Sequence, residues 1–189
     1  MSSPGGYGRF LEHIEGKLGG IKHVESPEVS GSNRGYALIY TDLADPGVAT
    51  VTTNGVRFQQ ITSMLPAEFT CSLQEDQEHI ARYLVDTVAG LAISSGGGLE
   101  YEQVVVKNDQ PIIADTAIHG ILTSPSPFFG GEFDLYRDDN GQPSLQIITL
   151  LPVTSAEADF VEEADAEELY DIWRENRTNL LNVYRESAL

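Results

Sequence analysis

Residues 145–153 read Leu-Gln-Ile-Ile-Thr-Leu-Leu-Pro-Val, and six of the nine are aliphatic. A strand with one wet face alternates apolar and polar residues; this one hardly alternates, so it belongs at the centre of a sheet with both faces covered. Upstream, EFDLYRDDNGQPS reads as a partner strand and a turn over Asp138–Gln142, with Asn140-Gly141 at the tip. Downstream, Thr154 with Glu157 and Asp165 with Glu168 have the spacing of helix N-caps answered by an acid in the first turn. Phe160, Leu169, Ile172, Trp173, Leu180 and Leu181 follow at helical spacing and are expected to supply helical contacts to the core.

Farther upstream, PIIADTAIHGILTS and YEQVVVK each carry a strand, and EFTCSL is a strand with Phe69, Cys71 and Leu73 on one face. Between them a helix is predicted from Gln74 or Glu75 to about Ile93. Ile80, Leu84, Val88, Leu91 and Ala92 form its buried stripe, Glu75 and Asp76 suit its N-terminus, and Gly96-Gly97-Gly98 ends it. YALIYTDL and GVATVTTNGVRFQQI read as strands, with Asn54-Gly55 as the turn of a hairpin. A first helix is predicted over Tyr7–Leu18, its stripe made by Tyr7, Phe10, Leu11, Ile14 and Leu18, and ESPEVSGSNRG reads as a polar linker. The order α, β, α, β, α gives an α+β (mixed α/β) single domain. Its central mixed, largely antiparallel sheet is packed by an N-terminal helix, a central helix and C-terminal helices. The segments are 1–34 (helix and linker), 35–153 (sheet with central helix) and 154–189 (acidic C-terminal helices).

The chain has 29 acidic and 11 basic residues, a formal net charge of −18. Residues 155–189 contribute ten acids and three bases. Such a field repels nucleic acid and anionic membranes and speeds encounter with a basic protein; it is also what a solubility or salt-adapted proteome produces. The N-terminus, MSSPGGYGRFLEHIEG, has no basic segment followed by an apolar run, and no stretch approaches ~20 apolar residues, so a cytoplasmic protein is expected. Cys71 is the only cysteine, which excludes an internal disulfide and a cysteine zinc cage, and its setting is that of a buried strand residue.

His13, His23, His79 and His119 are far apart in the chain, and none has zinc-ligand spacing. No Gly-x-Ser-x-Gly elbow, phosphate-binding loop or dinucleotide fingerprint is present, so neither a metal nor a cofactor is expected. SSGGGLEYEQ runs from helix to strand, the wrong order for a phosphate cradle. Asp115 and His119 are the best enzyme candidates: four apart in a strand they share a face and can form a carboxylate–imidazole pair, with Ser124 or Ser126 as a hydroxyl. The competing reading makes His119 structural or interfacial. In SPSPFFGG, Pro125 and Pro127 stiffen the chain and Gly130-Gly131 releases it. Phe128 and Phe129 then point opposite ways, one into the core and one toward a partner, or both into the core.

EFTCSL, IARYLVDTVAG, IHGILTSPSPFF and LQIITLLPVTSAEADFV followed by ELYDIW stand in an order that resembles the suppressor of fused family, over roughly Tyr36 to Asn176. The resemblance implies a non-enzymatic protein-binding domain. Animal members grip a short peptide between this domain and a second, C-terminal one, whereas compact bacterial members look like immunity proteins that neutralise toxins. The chain stops soon after the first domain, which favours the bacterial type. The same resemblance places Asn108–Phe129 near the partner cleft and offers Asp115, His119, Phe128 and Phe129 as a contact set. The expected function is occlusion of a basic protein partner such as a toxin domain; the alternatives are a regulatory scaffold that sequesters an intracellular protein and a hydrolase using His119 and Asp115.

Overall fold

A computed structural model describes residues 5–43 and 47–189. In chain order the elements are α1 (Gly5–Leu18), β1 (Ile21–Glu25), β2 (Glu28–Val29), β3 (Ser32–Asn33), β4 (Ala37–Leu43), β5 (Val48–Asn54), β6 (Ala67–Gln74), α2 (Glu78–Ser95), β7 (Val104–Lys107), β8 (Ile118–Ser124), α3 (Gly131–Asp134), β9 (Leu135–Arg137), β10 (Pro143–Thr154), α4 (Ser155–Glu163) and α5 (Ala166–Glu175). The main sheet has the order β1-β4-β5-β6-β10-β8-β7, with β9 also pairing β10. Only β6 and β10 run parallel; every other pair in that sheet is antiparallel.

The central placement of LQIITLLPV is as expected. Ile148 and Leu150 point to the α2 side, where Phe69, Cys71, Leu73, Ile80, Leu84 and Val88 complete the largest cluster. Leu145 and Ile147 point the other way, toward Phe10 and Ile14 of α1, and Leu151 and Val153 meet Leu169 and Trp173 of α5 on that same side. Hydroxyls fill the stretch between these two clusters: Thr50 bonds Ser72 at 2.8 Å and Thr52 bonds Thr70 at 2.9 Å across strands, so these four side chains satisfy one another. Cys71 is fully buried, and that burial pushes its thiol up to about 12, which makes it inert.

Several expectations need correction. Asn54-Gly55 does not turn a hairpin. Glu68 on β6 accepts the amides of Gly55 (2.8 Å), Val56 (3.2 Å) and Arg57 (3.3 Å), and this carboxylate draws the chain into a short 3-10 helix, Val56–Phe58, where a strand was expected. Arg57 closes the pair at 2.5 Å. The hairpin instead joins β4 to β5, and its tip at 44–46 lies outside the described residues. The polar linker contains the small β2–β3 ladder, and Arg34 pins it by bonding Glu25 and the Tyr36 carbonyl. The EFD of EFDLYR is the one-turn helix α3. The central helix begins with a 3-10 turn, Glu75–Gln77, and ends at Gly96, whose φ of 67° is left-handed. Leu91 is 46% exposed and so is not part of the buried stripe. The side chain of Tyr7 lies outside the described set.

At the C-terminus Thr154 and Glu157 form a reciprocal capping box, and Asp165 accepts the Glu168 amide at 2.8 Å. Beyond α5 there is no further helix, so Leu180 and Leu181 sit in an irregular tail. That tail is held at several points. Leu181 accepts the Gln74 amide at 2.8 Å, Asn182 accepts from Gln77 at 2.9 Å, and Val183 is buried in the α2-side cluster. Arg185 donates twice to Glu157, both bonds at 2.7 Å. Burial alone pushes Glu157 up, yet Arg185, the Thr154 amide and the Trp173 indole outweigh it and hold the carboxyl below its ordinary range.

Candidate protein-binding edge

The main run of paired strands ends at β1 on one side and at β7 on the other, and these two ends are defended differently. An outer strand presents unpaired N–H and C=O groups, which charged side chains ordinarily guard against addition of another strand. On β1, Lys22 pairs with Asp42 and Glu78, and His23 stacks on Tyr40 at 3.9 Å. Glu25 collects Arg82, Arg34 and the Tyr40 hydroxyl. The Arg82 guanidinium holds that carboxyl at about 2 against the upward push of burial, with Tyr40 and Arg34 assisting.

At the other border β7 reads Val104-Val105-Val106-Lys107, and no described strand pairs with its outer side. Its single cation is exposed but already paired: Lys107 meets Asp159 at 2.6 Å and Glu162 at 2.5 Å on α4, and these bonds raise its pKa. Apolar surface continues beside it. Tyr83 and Leu91 of α2 are 49% and 46% exposed, and with Val105, Val106 and Ile112 they line a trough of about 360 Å³. A second hollow of about 330 Å³ shares Leu91 and Val105 and runs toward Leu99. Exposed acids stand at both ends of the strand, Glu100 and Glu102 before it and Asp109 and Asp115 after it. Close packing against β8 sets the position of β7, because a Cβ on Gly120 would sit 2.7 Å from the Val106 carbonyl.

Asp115 and His119 do not make the pair that strand spacing suggested. Asp115 is exposed in the turn before β8 with a left-handed φ of 59°, so the same-face rule does not apply. His119 lies on β8 and bonds the Asn108 carbonyl through Nδ1 at 3.0 Å, closing the β7–β8 loop. The two hydroxyls are at the far end of β8, about 16 Å along the strand. Ser124 donates to the Pro125 carbonyl at 2.7 Å, and Ser126 accepts the amides of Phe128 and Phe129, each at 3.2 Å. Imidazole, carboxylate and hydroxyl therefore do not converge. Phe128 and Phe129 are both half-buried and serve different clusters, Phe128 beside Trp173 and Phe129 beside Phe133 at 5.2 Å. Asp115 and His119 thus lie at the β7 edge, whereas the two phenylalanines lie at the opposite end of β8. The valine run, the signal for the edge itself, was visible in the sequence as a strand but not as a border.

Among the described residues no three His, Cys, Asp or Glu side chains gather into a metal site, and no helix is long and apolar enough to cross a membrane.

The model of the suppressor of fused protein family matches residues 33–186. Among solved structures, a suppressor of fused homolog from Neisseria gonorrhoeae FA 1090 superposes with a TM-score of 0.72 at 17% identity, covering 97% of this chain and 96% of that one. The chain in a Sufu–Fu complex matches with a TM-score of 0.69 at 10% identity, over 97% of this chain and 92% of that one. Drosophila Suppressor of Fused matches with a TM-score of 0.67 at 11% identity over 95% of this chain, which spans 50% of that protein. No curated protein matches.

Proposed function

Because the chain belongs to the suppressor of fused family, whose members are commonly protein-interaction domains, we propose that it is a non-enzymatic binding domain that neutralises a basic protein by occlusion, as an immunity protein does. The observation that carries this reading is the undefended β7 edge between two acidic flanks. An extended segment of the partner adds beside β7 through main-chain hydrogen bonds. Its apolar side chains enter the trough against Tyr83 and Leu91, and its basic residues meet Glu100, Glu102, Asp109 and Asp115. The net charge of −18 steers the encounter.

The test uses the immobilised chain, host lysate at 50 and 300 mM NaCl, and identification of retained proteins by mass, with Leu91→Lys/Val105→Lys as the comparison. The expected result is a basic protein retained by the wild type, captured more slowly at the higher salt and lost by the variant. Retention of the same proteins by both would refute the edge as the site. A regulatory scaffold is the second reading, favoured by the likeness to the chain of a Sufu–Fu complex. The two separate on the partner's own activity: occlusion abolishes it in a purified mixture, whereas a scaffold leaves it intact.

A further inference from the structure

On the face away from α2, a groove of about 720 Å³ opens between residues 124–128, α5 and residues 177–181. That size suits a ligand of a few hundred daltons or a short piece of chain (~300–1,000 Å³). Phe128, Tyr170 and Trp173 form its floor, and Pro125 and Pro127 stiffen one wall. The Tyr170 hydroxyl is buried there beside the Ser124 hydroxyl.

Arg177 sets the chemistry. Eleven lysines and arginines face 29 acids in this chain. Nine of the eleven make ion pairs, and Arg137 donates to the Gly141 carbonyl. Among the described lysines and arginines, Arg177 alone has neither an ion pair nor a side-chain hydrogen bond. Its backbone has a left-handed φ of 51°, and Glu102, on the same groove, has a φ of 66°. At Arg177 this is the ordinary stop of a helix: its amide donates to the Arg174 carbonyl at 3.3 Å and the Thr178 amide to the Trp173 carbonyl at 2.9 Å, which ends α5 with Arg177 on the groove.

We propose that this groove binds an acidic peptide segment carrying an aromatic side chain, the ring on the Phe128–Trp173 floor and the carboxylate on the Arg177 guanidinium. Arginine matches a carboxylate with two parallel donors, and an unpaired one gives up no existing bond to do so. Glu102 and Glu167 on the rim repel a carboxylate placed elsewhere and so fix the register. The groove shares Glu102 with the acidic flank of β7 but none of the residues of the trough beside it, and its ionic signature is opposite. An acidic peptide approaches against the field of the whole molecule, so added salt speeds its association.

Trp173 is the only tryptophan and lies in the floor, so its emission reports occupancy. The probes are tryptophan-free, N-acetylated and C-amidated pentapeptide pools of the form X-Phe-X-Glu-X, with Gln and Lys replacing Glu in two control pools. Expected is a saturable change of Trp173 emission with the Glu pool only, tightened between 10 and 150 mM NaCl. Arg177→Gln should weaken it about ten- to a hundredfold, Arg177→Lys should restore part of the loss, and Arg137→Gln should change nothing. Equal binding of the Glu and Gln pools, preference for the Lys pool, or full affinity in Arg177→Gln overturns the proposal. So does an emission change that follows protein concentration alone, which identifies a second copy as the occupant.

Discussion

Glu157 shows how much one side chain carries. It answers its own helix cap through the Thr154 amide at 2.9 Å and receives Arg185 and the Trp173 indole in a site with no solvent exposure. Removing one partner of a buried ion pair strands the other, so Glu157→Gln should cost about 3–5 kcal/mol, read from the urea midpoint at constant slope. Thr149 is the converse. Its hydroxyl is buried without a partner, and Thr149→Val should raise stability by about 1 kcal/mol in the same measurement. Glu25 adds a pH dependence. Its folded pKa of about 2 lies below the ordinary 4.5, so its stabilisation is complete above pH 4.5 and is lost as pH falls toward 2. Glu25→Gln should therefore lower the melting temperature at pH 7 and leave it nearly unchanged at pH 2. The capping half of Glu157 was legible three residues from Thr154. Its pairing with Arg185, 28 positions away, was not, because nothing local records which distant cation a carboxylate meets.

At the scale of elements, legibility followed the number of neighbours that decide a segment. The strand at 145–153 declared itself because burial on both faces removes alternation. The turn at Asn54-Gly55 misled because its fate is decided by Glu68, on another strand, which captures three successive amides. Leu91 fitted a helical stripe by spacing yet faces outward, because β7 stops short of covering that side of α2. β7 itself depends on close approach to β8. Gly120→Ala should push the Val106 carbonyl away, costing about 1–3 kcal/mol and accelerating amide exchange along Val104–Lys107 ahead of the central strands.

The whole molecule carries its charge unevenly with respect to function. Most of its cations are spent on internal pairs, so the surplus acids act as a common field. At 10 mM salt that field reaches about 30 Å and at 150 mM about 8 Å. Self-repulsion falls accordingly, and the melting temperature should rise between these conditions, although the exposed ion pairs weaken slightly; an unchanged or falling value would mean that the pairs dominate. Composition made the field legible from the start. It did not say where the acids leave an apolar opening, since that depends on which strand ends the sheet.

Val183 is seated among the residues under α2, and two positions later Arg185 is locked onto α4 on the other side of the sheet. The last residues thus act as a clasp that fastens two layers which otherwise share only the sheet between them. A protease cutting within 176–182 would loosen both layers at once, and the amides of Gln74, Val183 and Ala188 should then lose their protection together.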